Sequence, residues 1–327
     1  MGMFLIRRLL SYLVLIFLAS TFAYLLAATT LSPRTNFEQL QPRPSQEAIE
    51  RELTKLNLND RTPLAERYAV WVSDLARGDF GQTVNDQSVN EQVVRKAGVT
   101  LRLIVVGTVI GCSVGVAIGA YAAVKQYRAF DKVSTGAAFV VLAVPTVVIA
   151  VSLREAARWF NATTGRQWLN YGGEYTAGLD AGFWGTLADR LQHGILPTAT
   201  LALALFAAFS RYQRNMMLDV LGSDFVRTAM AKGLTRRAAL LKHALRTALI
   251  PTITYFTFTF GILLAGTTFT EKIYGWHGMG AWVVDSIVQN DVNAVAAVTC
   301  FMAVCVMAAS FLSDILYAWL DPRVRVS

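Results

Sequence analysis

The chain has 327 residues, 54% of them hydrophobic and only 16% charged, with a formal net charge of +8. Soluble globular domains carry about 25% charge, and here long stretches carry none, which excludes the soluble classes in favour of a membrane protein. The basic balance has a simpler source than nucleic acid, namely cations gathered in cytoplasmic loops.

Arg7 and Arg8 precede a first apolar run at residues 9–31. The run is too long for the core of a cleaved signal peptide and lacks the usual small-residue cleavage site, so it reads as a span. A segment at 32–102 follows, punctuated by Pro42, Pro44 and Pro63. Residues 47–56 read as a short helix, and Leu64, Tyr68, Trp71 and Leu75 recur at helical spacing to give a second, amphipathic one. That helix is expected to lie on the membrane or to pack on the spans.

A membrane helix needs about 20 apolar residues. Runs at 103–124, 133–153, 247–270 and 292–313 meet this without an ionisable side chain, and a shorter one at 195–209 opens at Pro197, acceptable in a first helical turn. Six spans place both termini on one side. With the N-terminus inside, fifteen cations lie in cytoplasmic segments against five on the two short outer loops, while the long first loop balances ten against ten. Both termini are therefore expected in the cytoplasm. The expected organisation is 1–31 as N-terminus and first helix, 32–102 as a partly helical extracytoplasmic loop, and 103–327 as a five-span core whose cytoplasmic loop is 211–246.

Within the second span Gly107, Gly111, Gly115 and Gly119 recur every fourth residue. They form one ridge that admits a neighbouring helix closely, as static packing or as a sliding surface. Pro145 should kink the third span. The second outer loop carries Trp159, Phe160, Trp168, Tyr171 and Trp184, which suit interfacial anchoring or contact with a substrate or delivery protein. The fifth span is rich in threonine, and Thr254, Thr257, Thr259 and Thr267 either line a polar pathway or bond back to carbonyls of their own helix.

No Asp, Glu, Lys, Arg or His lies inside any span, and Asp314 sits at an end. Ion-coupled carriers place ionisable residues at membrane depth. The chain also lacks a GxxxxGK(S/T) phosphate loop, an HExxH pair and a Ser/His/Asp arrangement. His193, His243 and His277 are isolated and read as satisfied surface or interface histidines. Cys112, Cys300 and Cys305 sit in apolar runs with no CxxC, so neither disulfides nor a metal site is expected. Active transport by this chain would need energy from another subunit.

The loop at 210–251 reads SRYQRNMMLDVLGSDFVRTAMAKGLTRRAALLKHALRTALIP. Gly222, Ser223 and Asp224 break one helix, and Asp224 can cap the next. Residues 225–232 make two turns that Gly233 ends, and Thr235 can cap a helix running into the fifth span. Phe225, Val226 and Ala229 give the short helix an apolar patch, and Arg227, Lys232 and Arg236 give it charge. On pattern alone it is either a solvated positive loop or a docking element.

This segment resembles the coupling loop of permease (inner-membrane) subunits of ABC importers. In the EAA-x3-G pattern of that family Gly233 takes the glycine, and Arg227, Thr228 and Ala229 take the three earlier places. The dipeptide/oligopeptide branch, D-(Y/F)-V-R-T-A-x-A-K-G-L followed by H-A-L-R-x-A-x-x-P, fits Asp224 to Leu234 and His243 to Pro251. Arg77-Gly78-Asp79-Phe80-Gly81 is similar to R-G-D-(L/F)-G of the first outer loop. The run from Glu271 to Gly280 is similar to E-x-I-F-x-x-P-G-x-G, with His277 in place of proline. Asp321-Pro322-Arg323-Val324-Arg325 matches the D-P-R-(V/L)-R terminus.

The resemblance implies an all-α membrane protein with six transmembrane helices of the type I ABC importer permease kind, in a bacterial inner membrane. It implies a peptide as substrate, with glutathione or a nickel complex as the alternative cargo. A second homologous permease, one or two ABC ATPase subunits and an extracytoplasmic peptide-binding protein would be the partners. Mg-ATP would belong to the ATPases, leaving this chain without catalytic, cofactor or metal residues. Coupling would rest on Asp224, Phe225, Val226, Arg227, Thr228, Ala229, Lys232, Gly233 and Arg236. An ion-coupled carrier or a membrane scaffold is the alternative of another class.

Overall fold

The computed structural model describes residues 2–320, and the D-P-R-V-R run at 321–325 lies outside the described residues. The described chain is helical, with an isolated bridge between Gln82 and Ser88 and no strand. Four helices are long and apolar enough to cross a membrane: α1 (Gly2–Thr30), α5 (Val89–Val124), α8 (Gly182–Leu221) and α13 (Val292–Leu320). Two bent pairs raise the number to six if each pair is one span.

The first of these pairs is α6 (Ala129–Ala143) with α7 (Thr146–Thr164), which meet at 103°. The expected kink at Pro145 is thus a full break. Proline pushes the preceding residue out of the helical region and offers no N–H. Val144 is extended at φ −96°, ψ 125°, and Pro145 starts the new helix from ψ 140°. The second pair leads from α10 (Arg236–Ala239) through a π-helical turn, Leu240–Ala244, into α11 (Leu245–Tyr274).

Residues up to Thr100, with His277–Ala308, form one compact unit. It contains α1, α2 (Arg34–Glu38), α3 (Gln46–Lys55), α4 (Leu64–Ala76) and α12 (Met279–Val288). Both helices expected in the 32–102 loop are present. The hydroxyl of Ser45 caps α3 by accepting from Ala48 N at 3.3 Å. Helix α4 packs on α1, with Trp71 stacked on Tyr24 at 4.6 Å and the Tyr68 hydroxyl 3.0 Å from that of Thr21. Of the two places expected for α4, the first span is the one it occupies. Ile49, Leu53, Leu56, Leu58, Val292 and Ala296 complete this core.

The R-G-D-F-G run forms a tight turn in the same unit. Gly78 and Gly81 take φ of +78° and +80°, a region that suits glycine. Asp79 Oδ1 accepts from Gly81 N at 2.9 Å. The Asn90 side chain accepts from Phe80 N at 2.9 Å and donates to Gly78 O at 2.6 Å. Asn293 Nδ2 donates to Gln82 O and Leu56 O at 2.9 and 3.2 Å.

The second unit comprises Leu101–Trp276 and the chain from Ala309 onward. Helix α8 is its hub and touches α6, α7 and α11. The span expected to open at Pro197 begins fifteen residues earlier, at Gly182, and carries Pro197 in its interior. Its polar first turns are helical because a neighbouring loop satisfies them. Asp189 accepts from Thr176 N and Oγ1 at 2.8 and 2.6 Å, and His193 Nδ1 lies 3.0 Å from Gly173 O. His193 is therefore a satisfied, buried histidine.

The glycine ridge of α5 faces α8. A methyl group at Gly107 would lie 3.1 Å from Leu201 Cβ, and one at Gly111 would lie 2.8 Å from the Ala202 carbonyl oxygen. At Gly115 it would lie 2.9 Å from Phe206 O, and at Gly119 it would run into Ser210 O. The obstacle is backbone at three of the four positions, so it cannot turn aside. Gly119→Val should lower the thermal midpoint of the purified chain by an amount corresponding to about 1–3 kcal/mol or more. Gly136→Val, also inside a helix but with open space around it, should cost no more than its change in helix propensity. Equal melting of the two variants would remove the ridge as a packing constraint.

Candidate coupling segment and pathway lining

Helix α8 ends at Leu221, and Gly222 and Ser223 separate it from α9 (Asp224–Ala231). The cap expected at Asp224 falls one residue earlier. Ser223 adopts the extended N-cap conformation at φ −70°, ψ 151°, while its hydroxyl turns back and donates to Val220 O at 2.7 Å. Asp224 is the first helical residue, where its negative charge complements the helix dipole. Its exposed carboxylate lies 4.0 Å from Arg227.

Gly233 ends α9 as expected, at φ +92°. Gly233 N donates to Met230 O at 2.9 Å and Leu234 N to Ala229 O at 3.3 Å, the paired bonds of a Schellman cap. Thr235 then caps α10, its hydroxyl accepting from Ala238 N at 3.3 Å.

The apolar patch divides between two directions. Val226 is 1% exposed and Ala229 is 7% exposed, both packed with Ala123, Met217, Ala239, Leu240, Ala244 and Ala248 of the same chain. Phe225 and Met230 stay exposed, together with Asp224, Arg227, Thr228, Lys232 and Arg236. Val226 and Ala229 thus seat the helix, and the others form its free surface.

A buried ion pair near this segment has no signature in sequence. Arg214 on α8 grips Asp131 on α6 through Nε at 2.6 Å and Nη2 at 2.9 Å. Tyr127 N donates to the same carboxylate at 2.9 Å, and Thr135 Oγ1 at 3.3 Å. A bidentate pair of this kind fixes orientation as well as distance. The neighbouring Gln213 Oε1 accepts from Thr252 Oγ1 of α11 at 2.7 Å. Asp131, Gln213 and Arg214 thereby link three helices at the end of α8 from which α9 departs.

Among the pathway candidates, Thr267 is fully buried and its hydroxyl donates to Leu264 O at 2.7 Å. Thr259 is partly buried and donates to Tyr255 O at 2.9 Å. Thr257 is partly buried, and Thr254 is exposed. The structure does not bring the four together on one open face. Between α5, α8 and the 174–175 loop lies a cavity of about 610 Å³ lined by Arg102, Val106, Glu174, Arg190, Leu191 and Trp276 among others. Arg102 and Glu174 face each other in it at 3.7 Å.

At the other end of α11, Gly275 caps the helix at φ +67°. The Tyr274 hydroxyl donates to Ala150 O at 3.0 Å and lies 3.1 Å from that of Thr200. Arg154 Nη1 donates to Ile273 O at 2.8 Å. The motif that opens at Glu271 therefore locks α7, α8 and α11.

The seating of α9 can be checked by substitution. Ala229→Asp should destabilise it by about 1–3 kcal/mol or more. It should speed amide exchange across residues 224–240. Thr228→Asp, on the exposed face, should leave exchange unchanged. Similar exchange in both variants would mean that Ala229 does not seat the helix.

Residues 115–326 match the family described as binding-protein-dependent transport system inner membrane component. The chain is 53% identical over 327 residues to the oligopeptide transport system permease protein OppB of Mycobacterium tuberculosis, covering 100% of both. It is 34% identical over 292 residues to the oligopeptide transport system permease protein AppB of Bacillus subtilis, 88% of each chain. It is 31% identical over 280 residues to the dipeptide transport system permease protein DppB of Escherichia coli, 80% of this chain and 81% of that one.

Proposed function

The chain belongs to the family of binding-protein-dependent transport system inner membrane components, and from that premise we propose that it forms half of the translocation pathway of an ATP-driven oligopeptide importer. It is a multi-pass membrane permease. A second permease of similar sequence completes the pathway, one or two ABC ATPase subunits bind below, and an extracytoplasmic binding protein delivers the peptide. This chain itself hydrolyses nothing.

The observation that carries the coupling role is the two-sidedness of α9. Its inner residues, Val226 and Ala229, are buried in the chain's own core, while Phe225, Arg227 and Met230 face outward. Both ends are fixed by helix breaks, at Gly222 and at Gly233. A short rigid element that is anchored on one face and apolar on the other suits the transmission of a rigid-body push. An ATPase that closes on ATP moves Phe225, and α9 passes the displacement to α8, α10 and α11.

In the assembled complex, Phe225→Ala should keep insertion and pairing but reduce peptide-stimulated ATP hydrolysis at least about fivefold, the loss of an aromatic anchor at an interface. Arg51→Ala, in the 32–102 segment, should not. Stimulation unchanged in Phe225→Ala would remove α9 from the coupling surface.

The same reading places 32–102 outside the cell and 211–246 in the cytoplasm. In a background lacking Cys112, Cys300 and Cys305, single cysteines at Gln87 and Ala177 should react with an impermeant thiol reagent on intact cells. One at Thr228 should react only after lysis. The opposite pattern would invert the topology.

A further inference from the structure

We propose that the first unit carries a recognition pocket for the free carboxylate of a short peptide, separate from the pathway; the proposal rests on the peptide reading above. The end of α3, the 56–62 loop, α4 and the R-G-D-F-G turn enclose a cavity of about 580 Å³. That volume falls within the range of small-molecule sites. Arg67 and Trp71 of α4 line it, as do Asp74, Asp79, Gln82 and Asn293.

Two features of the lining point to an anion. Arg67 is 8% exposed, and its Nε has no hydrogen-bond partner. Trp71 is 3% exposed, and its Nε1 is also without a partner. Both are donors one helical turn apart on α4. A buried donor left unpaired is costly, and a buried guanidinium more so. A carboxylate at this site would accept from both, and arginine is the side chain suited to hold it.

The other walls select the kind of anion. Asp74 and Asp79 line the same space and oppose a dianion such as phosphate, whereas they favour a ligand that also carries an ammonium group. A peptide with free termini has both charges. The walls are already rigid before a ligand enters, because Asn90 and Asn293 hold the turn by its backbone. Such preorganisation lowers the cost of binding.

The test uses the full-length chain in lipid nanodiscs, titrated calorimetrically with tri-alanine, its C-terminal amide and its N-acetyl form. Wild type should bind tri-alanine at least about tenfold more tightly than the amide, the loss expected for a charged hydrogen-bond partner. In Arg67→Gln, acid and amide should bind equally. Should Arg67→Gln fail to fold, Trp71→Phe keeps the ring against Tyr24, removes the indole N–H, and should weaken the acid but not the amide. No binding of tri-alanine, or equal binding of acid and amide by wild type, overturns the pocket. So does discrimination that survives in a folded Arg67→Gln variant, or in Trp71→Phe. Uptake of labelled tri-alanine by the wild-type assembly tests the parent reading separately. Absent uptake sinks that reading, whereas uptake combined with equal binding of acid and amide sinks the pocket alone.

Discussion

The second unit depends on one steric constraint, the backbone approach of α5 to α8. Four glycines at a spacing of four bring the helices to a distance at which any side chain meets main-chain or Cβ atoms of the partner. Lipid offers apolar side chains no driving force for association, so membrane helices hold together by close packing and by polar bonds between them. Here both are used. The ridge sets the distance, and Asp131–Arg214 and Gln213–Thr252 fix the rotation of α8 against α6 and α11. Helix α9 leaves from the end of this clamped helix, so its position relative to α8 is determined by contacts made elsewhere.

What the sequence disclosed and what it withheld divide along physical lines. Local rules were legible. Gly233 ends α9, Thr235 starts α10, and the two helices of the 32–102 segment lie within a residue of their expected bounds. The glycine ridge was also legible, because a period of four on a helix defines a face without knowledge of the partner. Pairing across the chain was not. Asp131 and Arg214 are 83 residues apart, and each alone looks like an ordinary charge beside a span.

Two misplacements share a cause. Span four was expected to open at Pro197 because hydropathy falls before it, yet Asp189 and His193 are helical once the 173–176 loop supplies partners. The apolar patch of α9 was expected to be one surface. An eight-residue helix shows its amphipathic period plainly, but the period alone does not say which apolar residues meet the chain's own core and which stay exposed. In both cases the missing information was tertiary.

The π-helical turn at Leu240–Ala244 has a consequence for geometry. Its closing bond runs from Leu245 N to Leu240 O, one residue longer than the α-helical reach. An extra residue in a turn offsets everything beyond it by about 100° around the axis. The turn therefore acts as a gear tooth between the cytoplasmic segment and α11. Losing one residue there would barely shorten the helix, about 1.5 Å, but would twist the face that α10 presents by more than a quarter revolution. Among chains built on this plan, a single insertion or deletion at that place would re-aim Arg236 and Arg237 while leaving the span that follows unchanged.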